Sequence, residues 1–108
     1  MAFRVRHTDQ SYDDLDGIIE YISEKLYDPQ AAERFFNNVA EKIGCLKENP
    51  YMFPLYHDEK LSAKGYRFIV IGNYLMFFAI SECDDSDKVV NILGIVYDRR
   101  DMPAIFSS

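Results

Sequence analysis

Arg67 is the charged residue most out of place in this chain, because it opens the apolar run Phe68-Ile69-Val70-Ile71. On an extended backbone its side chain shares a face with Ile69 and Ile71. A guanidinium there can hold an anion, pair with an acid, or lay its stem over core. Arg99 and Arg100 could grip a phosphate bidentately, or could pair with the adjoining Asp98 and Asp101. His57, Lys60 and Lys64 gather on one stretch, but Asp58 and Glu59 are interleaved with them, the pattern of a solvated loop. His7 follows a strand-like segment without an evident partner and is expected to be structural or solvent-exposed.

Other chemistries find no support. Cys45 and Cys83 are far apart and outside any CxxC or Cys/His spacing, so they read as two reduced thiols and point to the cytosol. Neither a nucleophile elbow nor a phosphate-cradling glycine loop is present, and no metal or cofactor is expected. The formal net charge is −6 from 12 basic and 18 acidic residues. Residues 1–54 carry six basic and ten acidic residues and residues 55–108 six and eight, so neither half is a broad basic surface. Such a field repels a polyanion, and direct DNA binding is not expected. No apolar run approaches the roughly 18 residues of a membrane span, and no export signal opens the chain.

The elements around these residues are legible. At 108 residues the chain suits one domain. Phe3 to His7 alternates as a strand does. Thr8, Asp9 and Ser11 offer N-caps to an amphipathic helix whose apolar stripe is Tyr12, Leu15, Ile18, Ile19, Ile22 and Leu26. Asp28-Pro29 opens a second helix with the stripe Ala32, Phe35, Phe36, Val39, Ile43 and Leu46, closed by Pro50. Gly44 weakens its last turns by about 1 kcal/mol relative to Ala. The two helices should form an antiparallel hairpin. Residues 51–65 read as a loop. Tyr66 to Ile71, Tyr74 to Ser81 and Lys88 to Tyr97 read as strands, the first two joined by the two-residue turn Gly72-Asn73. The expected fold is α+β, a three-stranded antiparallel meander with the helical hairpin packed on one face.

That order, with the phrases Gly65-Tyr66-Arg67-Phe68-Ile69-Val70-Ile71-Gly72-Asn73-Tyr74 and Val90-Asn91-Ile92-Leu93-Gly94-Ile95-Val96-Tyr97-Asp98-Arg99-Arg100-Asp101, resembles the RelE/ParE superfamily of toxins from type II toxin–antitoxin systems. The resemblance spans nearly the whole chain. It implies a cytoplasmic toxin restrained by a cognate antitoxin, which supplies any DNA binding.

The superfamily holds two activities. RelE-like members cut messenger RNA on the ribosome without a metal, whereas ParE-like members bind DNA gyrase. For the first, the resemblance implies Arg67 as phosphate cation, Tyr97 near the proton-transfer centre, Arg99 or Arg100 on phosphate, and Lys64 assisting. For antitoxin contact it points to Arg67, Tyr74, Arg100 and Phe106. A ribosome-dependent nuclease would be basic with a dense Lys/Arg/His/Tyr cluster, and this chain is acidic with a sparse one. The ParE-like reading, inhibition by protein–protein binding with gyrase as candidate target, is therefore preferred. The nuclease and a non-toxic relative that only binds antitoxin remain the alternatives. Two apolar patches, Tyr51-Met52-Phe53 with Leu55-Tyr56 and the tail Met102-Pro103-Ala104-Ile105-Phe106, could fold onto the body or meet a partner.

Overall fold

The computed structural model describes residues 3–82 and 88–98. Four strands form one sheet in the order β1-β4-β3-β2: β1 is Arg4–His7, β2 Arg67–Ile71, β3 Tyr74–Glu82 and β4 Lys88–Tyr97. The meander β2-β3-β4 is antiparallel, as expected from its turns. β1 crosses over to lie parallel to β4, pairing Arg4 with Val89 through His7 with Ile92. It is shorter by one residue than the alternation from Phe3, and β2 likewise starts at Arg67 and not at Tyr66.

α1 spans Asp9–Glu20, and of the three possible caps Thr8 is the one used, its hydroxyl accepting from the Ser11 N–H. The helix was expected to continue unbroken to Leu26. Instead Tyr21–Lys25 widens into a π-helical turn, with the Leu26 N–H bonded back to the Tyr21 carbonyl, and Tyr27 closes the segment at φ 51°. α2 runs Pro29–Glu48, capped by Asp28, and Gly44 does not shorten it. Both helices press their stripes onto the sheet face built by Ile69, Ile71, Met76, Phe78, Val90, Ile92 and Ile95.

Residues 51–65 are more ordered than a loop. Pro50–Met52 is a 3-10 turn and Glu59–Ala63 a short helix, α3, whose cap Asp58 accepts from the Lys60 and Leu61 N–H groups. One turn of helix is too short to show an apolar period, which hid it in the sequence. Its anchor is the buried Leu61. Tyr56, just before it, packs its ring against Phe68 and Phe77 at 5.4 and 5.0 Å, partly covering the second sheet face.

β1 pairs with only the first half of β4, so beyond Ile92 that edge needs other partners. α1 supplies them. Thr8 donates from its N–H to the Ile92 carbonyl at 3.1 Å and from its hydroxyl to the same oxygen at 2.8 Å. Asp14 Oδ2 accepts the Ile95 N–H at 3.0 Å, while Gln10 Nε2 donates to Oδ1 at 2.8 Å. Close approach is possible because residue 94 is glycine: a Cβ there would stand 2.9 Å from Asp14 Oδ2. β4 also carries a bulge here, since Phe77 pairs with Gly94 and Phe78 with Ile92, leaving Leu93 as the extra residue.

His7 is not partnerless. Its Nδ1 lies 2.9 Å from the hydroxyl of the fully buried Ser11, and its ring stacks on Tyr12 at 4.8 Å. Burial holds its imidazole below the ordinary pKa of 6.5. Among the described residues no helix is long and apolar enough to cross a membrane, and no cluster of His, Cys, Asp or Glu could hold a metal.

Two substitutions test this frame. Asp14→Ala should cost about 1–3 kcal/mol in urea unfolding by orphaning the Ile95 N–H, while Asp14→Asn, which keeps an acceptor, should cost much less. Gly44→Ala should stabilise by about 1 kcal/mol, because a Cβ there meets nothing within 4 Å. The pH dependence is equally specific. With its folded pKa depressed, His7 binds fewer protons folded than unfolded below about pH 6.5, so stability should fall as pH drops through that range. His7→Gln should flatten that part of the slope between unfolding curves taken at pH 7 and pH 5.

Candidate functional site

Arg67 begins β2 on the core face, where the expected sharing of a face with Ile69 and Ile71 is observed. Its Nη1 donates to the Phe53 carbonyl at 2.6 Å, and its guanidinium lies 5.3 Å from the Tyr51 ring centre. The Tyr51 hydroxyl donates to the Glu82 carboxylate, and Glu82 sits 3.9 Å from the Lys88 ammonium across the β3–β4 ladder. Lys88 in turn reaches over the Phe3 ring at 5.8 Å, and Phe3 meets Tyr51 edge-on at 6.1 Å. Five segments thus close on one another at this end of the sheet. The hydrogen bond to Glu82 raises the Tyr51 pKa, burial adding to it, so the phenol stays protonated and is no ready base.

The other end of the sheet is aromatic. Tyr74 pairs with Tyr97 across β3 and β4, their rings 5.4 Å apart, and Tyr74 also meets Phe35 of α2 at 5.1 Å. Burial pushes the Tyr74 phenol pKa up, with the neighbouring Tyr21 and Tyr97 hydroxyls adding to it. Tyr97 is about half exposed, as is Tyr21 at the end of the helical hairpin.

The sheet register separates the residues that a nuclease would combine. Arg67 pairs with Phe78 and Phe78 with Ile92, whereas Tyr97 pairs with Tyr74 and Tyr74 with Ile71. The two rows are four residues apart, or about 13 Å along the strands, and β2 and β4 lie about 10 Å apart across them. Lys64 extends over the Tyr66 ring at 5.9 Å, and that ring lines a hollow with Phe77 on the sheet face away from the core. Arg67, Tyr97 and Lys64 therefore do not converge. Tyr74 and Tyr97 do. Arg99, Arg100 and Phe106 lie outside the described residues. His57 stacks on Tyr56 at 4.2 Å, and the Asp58 carboxylate beside it is used in capping α3.

Sequence reasoning did not single out Tyr51, Glu82 or Lys88 as companions of Arg67. The usable signal was Glu82 and Lys88, opposite charges flanking the acidic turn between two strands, which an antiparallel register brings face to face.

Comparison with known proteins places this arrangement. Residues 4–102 match the family model described as the ParE toxin of the type II toxin–antitoxin system parDE. The chain belongs to the ParE toxin family. Among solved structures, it is similar to a chain of a chromosomal ParDE toxin–antitoxin system from P. aeruginosa, with TM-score 0.70 and 18% identity over 91% of this chain and 98% of that one. It is also similar to a chain of the RelBE2 toxin–antitoxin complex from Mycobacterium tuberculosis, with TM-score 0.55 and 19% identity over 90% and 99%. At such identities the likeness concerns the fold. No curated protein sequence matches the chain.

If Arg67 acts as a clasp, its removal will show in stability. Arg67→Ala should lower stability by about 1–3 kcal/mol in thermal or urea unfolding, through the unpaired Phe53 carbonyl and the lost ring contact. Tyr51→Phe should cost less, since Glu82 keeps Lys88.

Proposed function

We propose that this ParE-family toxin arrests growth by binding a protein target, with DNA gyrase the candidate, and that a cognate antitoxin holds it inactive in the cytoplasm. The observation that carries this reading is the exposed apolar surface of the helical hairpin. Tyr12, Tyr21, Leu26, Tyr27 and Phe36 each leave half or more of their area to solvent, and Tyr27 is 88% exposed. Aromatic residues of this kind are favoured at protein interfaces. The net charge of −6 and the separation of Arg67 from Tyr97 give little support to gripping and cleaving RNA. Antitoxin restraint is supported by the two structural neighbours, both chains of toxin–antitoxin assemblies.

Pulse labelling after induction without antitoxin tests the target. Thymidine incorporation should collapse first while methionine incorporation continues. Early loss of methionine incorporation would instead establish the ribosome as target and transfer the case to the nuclease. In the same assay a Leu26→Ser, Tyr27→Asn variant should lose the arrest at least tenfold in viable counts, whereas Tyr97→Phe should keep it. Asn tolerates the left-handed backbone of residue 27, so the ring is removed without new strain.

A further inference from the structure

A hollow of about 600 Å³ opens at the C-terminal end of α1, lined by Gly17, Glu20, Tyr21, Glu24, Lys25 and Tyr27. Gly17 and Glu20 come from the helix, Tyr21, Glu24 and Lys25 from the π-helical turn, and Tyr27 from the connection to α2. Two of its features serve nothing in the monomer. Gly17 lies inside a helix, where glycine costs stability, yet a Cβ there would meet nothing within 4 Å. Packing does not require the missing side chain, and what its absence provides is room in the hollow. Glu20 and Glu24, both exposed, have no hydrogen-bond or ion-pair partner for their carboxylates among the described residues.

We propose that the hollow receives an arginine side chain of the protein target, its guanidinium between the Glu20 and Glu24 carboxylates and against the ring surface of Tyr21 and Tyr27. This rests on the reading that the hairpin tip docks a protein, and it names what the tip recognises there. Charge favours a cation. Asp9 through Glu24 holds six acidic residues and no basic one, and in the hollow itself two carboxylates stand against one ammonium, that of Lys25.

Arginine suits this lining better than lysine. Its planar guanidinium offers several N–H donors to carboxylates and stacks on aromatic rings, whereas an ammonium is a compact, strongly hydrated point charge. The side chain must also be carried by a protein. All six lining residues are exposed, whereas a pocket for a free small molecule buries roughly 70–90% of its ligand's surface. A protein seated on the exposed Leu26 and Tyr27 would exclude water that a free cation leaves in place, and the ion pairs strengthen as water is removed.

Two measurements on the full-length chain test it. In an NMR titration, Nα-acetyl-arginine amide should shift the Tyr21 and Tyr27 ring resonances progressively. Nα-acetyl-citrulline amide, similar in shape but uncharged, should leave them in place. Glu20→Gln with Glu24→Gln, or Gly17→Gln, which fills the hollow, should abolish the response without lowering stability in urea unfolding. An equal response to the neutral compound, or none to either, would overturn the proposal. In cells induced without antitoxin, the Glu20→Gln, Glu24→Gln variant should lose growth arrest at least tenfold in viable counts. Asp9→Asn with Asp13→Asn, nearer the start of the same helix, should keep it. Full arrest by the glutamate variant would overturn the proposal alone if Leu26→Ser, Tyr27→Asn has lost arrest, since docking at the tip would still stand. If that variant too kept the arrest, or the wild type gave none, docking at the tip would fall and this proposal with it. Arrest kept but antitoxin binding lost in the glutamate variant would assign the hollow to the antitoxin and equally overturn it.

Discussion

The edge of β4 beyond Ile92 sets the terms for most of this structure. A four-residue β1 can satisfy only half of that strand, and buried backbone groups left unpaired are costly. Thr8 and Asp14 solve the problem with side chains where a longer strand would use backbone. Thr8 does two jobs at one point, accepting as the cap of α1 and donating to Ile92. The helix axis is thereby tied to the sheet at its first turn. Asp14, one and a half turns on, ties it again, and the glycine at position 94 permits the approach. Two fixed points determine how a helix lies, so the direction of α1, and of α2 returning antiparallel to it, follows from this edge.

With the hairpin so placed, the two ends of the sheet acquire different characters. At one end Arg67, Tyr51, Glu82, Lys88 and Phe3 engage one another, and their polar groups are largely consumed in doing so. At the other end Tyr74, Tyr97 and Tyr21 come together beside the tip of the hairpin, where ring surface of Tyr97 and Tyr21 is exposed. A cation already held by a carbonyl and a ring is fixed in place, with only its remaining N–H donors left to offer a phosphate. An exposed ring gives up only water. The second surface is therefore the better placed to meet a partner protein.

Much of this was legible in the sequence, and the reasons are local. Asp28-Pro29 announces α2, Gly72-Asn73 the β2–β3 turn, and the three- and four-residue stripes the hairpin, because each signal is carried by neighbouring residues. The parallel pairing of β1 with β4 was not legible, since it joins residues more than 80 positions apart. The π-helical turn was hidden because Ile22 and Leu26 keep helical spacing either way. α3 was hidden by its length, and the His7–Ser11 contact by its dependence on a cap not yet chosen among three. Among the candidate site residues, the face of Arg67 could be read from alternation. Its distance from Tyr97 could not, because that needs the register of two ladders and the bulge at Leu93.

The turn between the helices shows how local strain and binding surface can be linked. Tyr27 holds φ 51°, a left-handed conformation that costs an ordinary L-residue about 1–2 kcal/mol. Glycine or asparagine would adopt it more easily, yet the chain places there a tyrosine with almost no contact to the rest of the fold. Leu26 and Tyr27, which follow the π-helical turn, are both exposed and not packed onto the core. Neither feature helps the monomer, since the strain is unrelieved and the ring area is unburied. Covering Leu26 and Tyr27 with another surface would bury that ring area and offset the backbone cost at residue 27, which is why the proposed docking is placed at this tip.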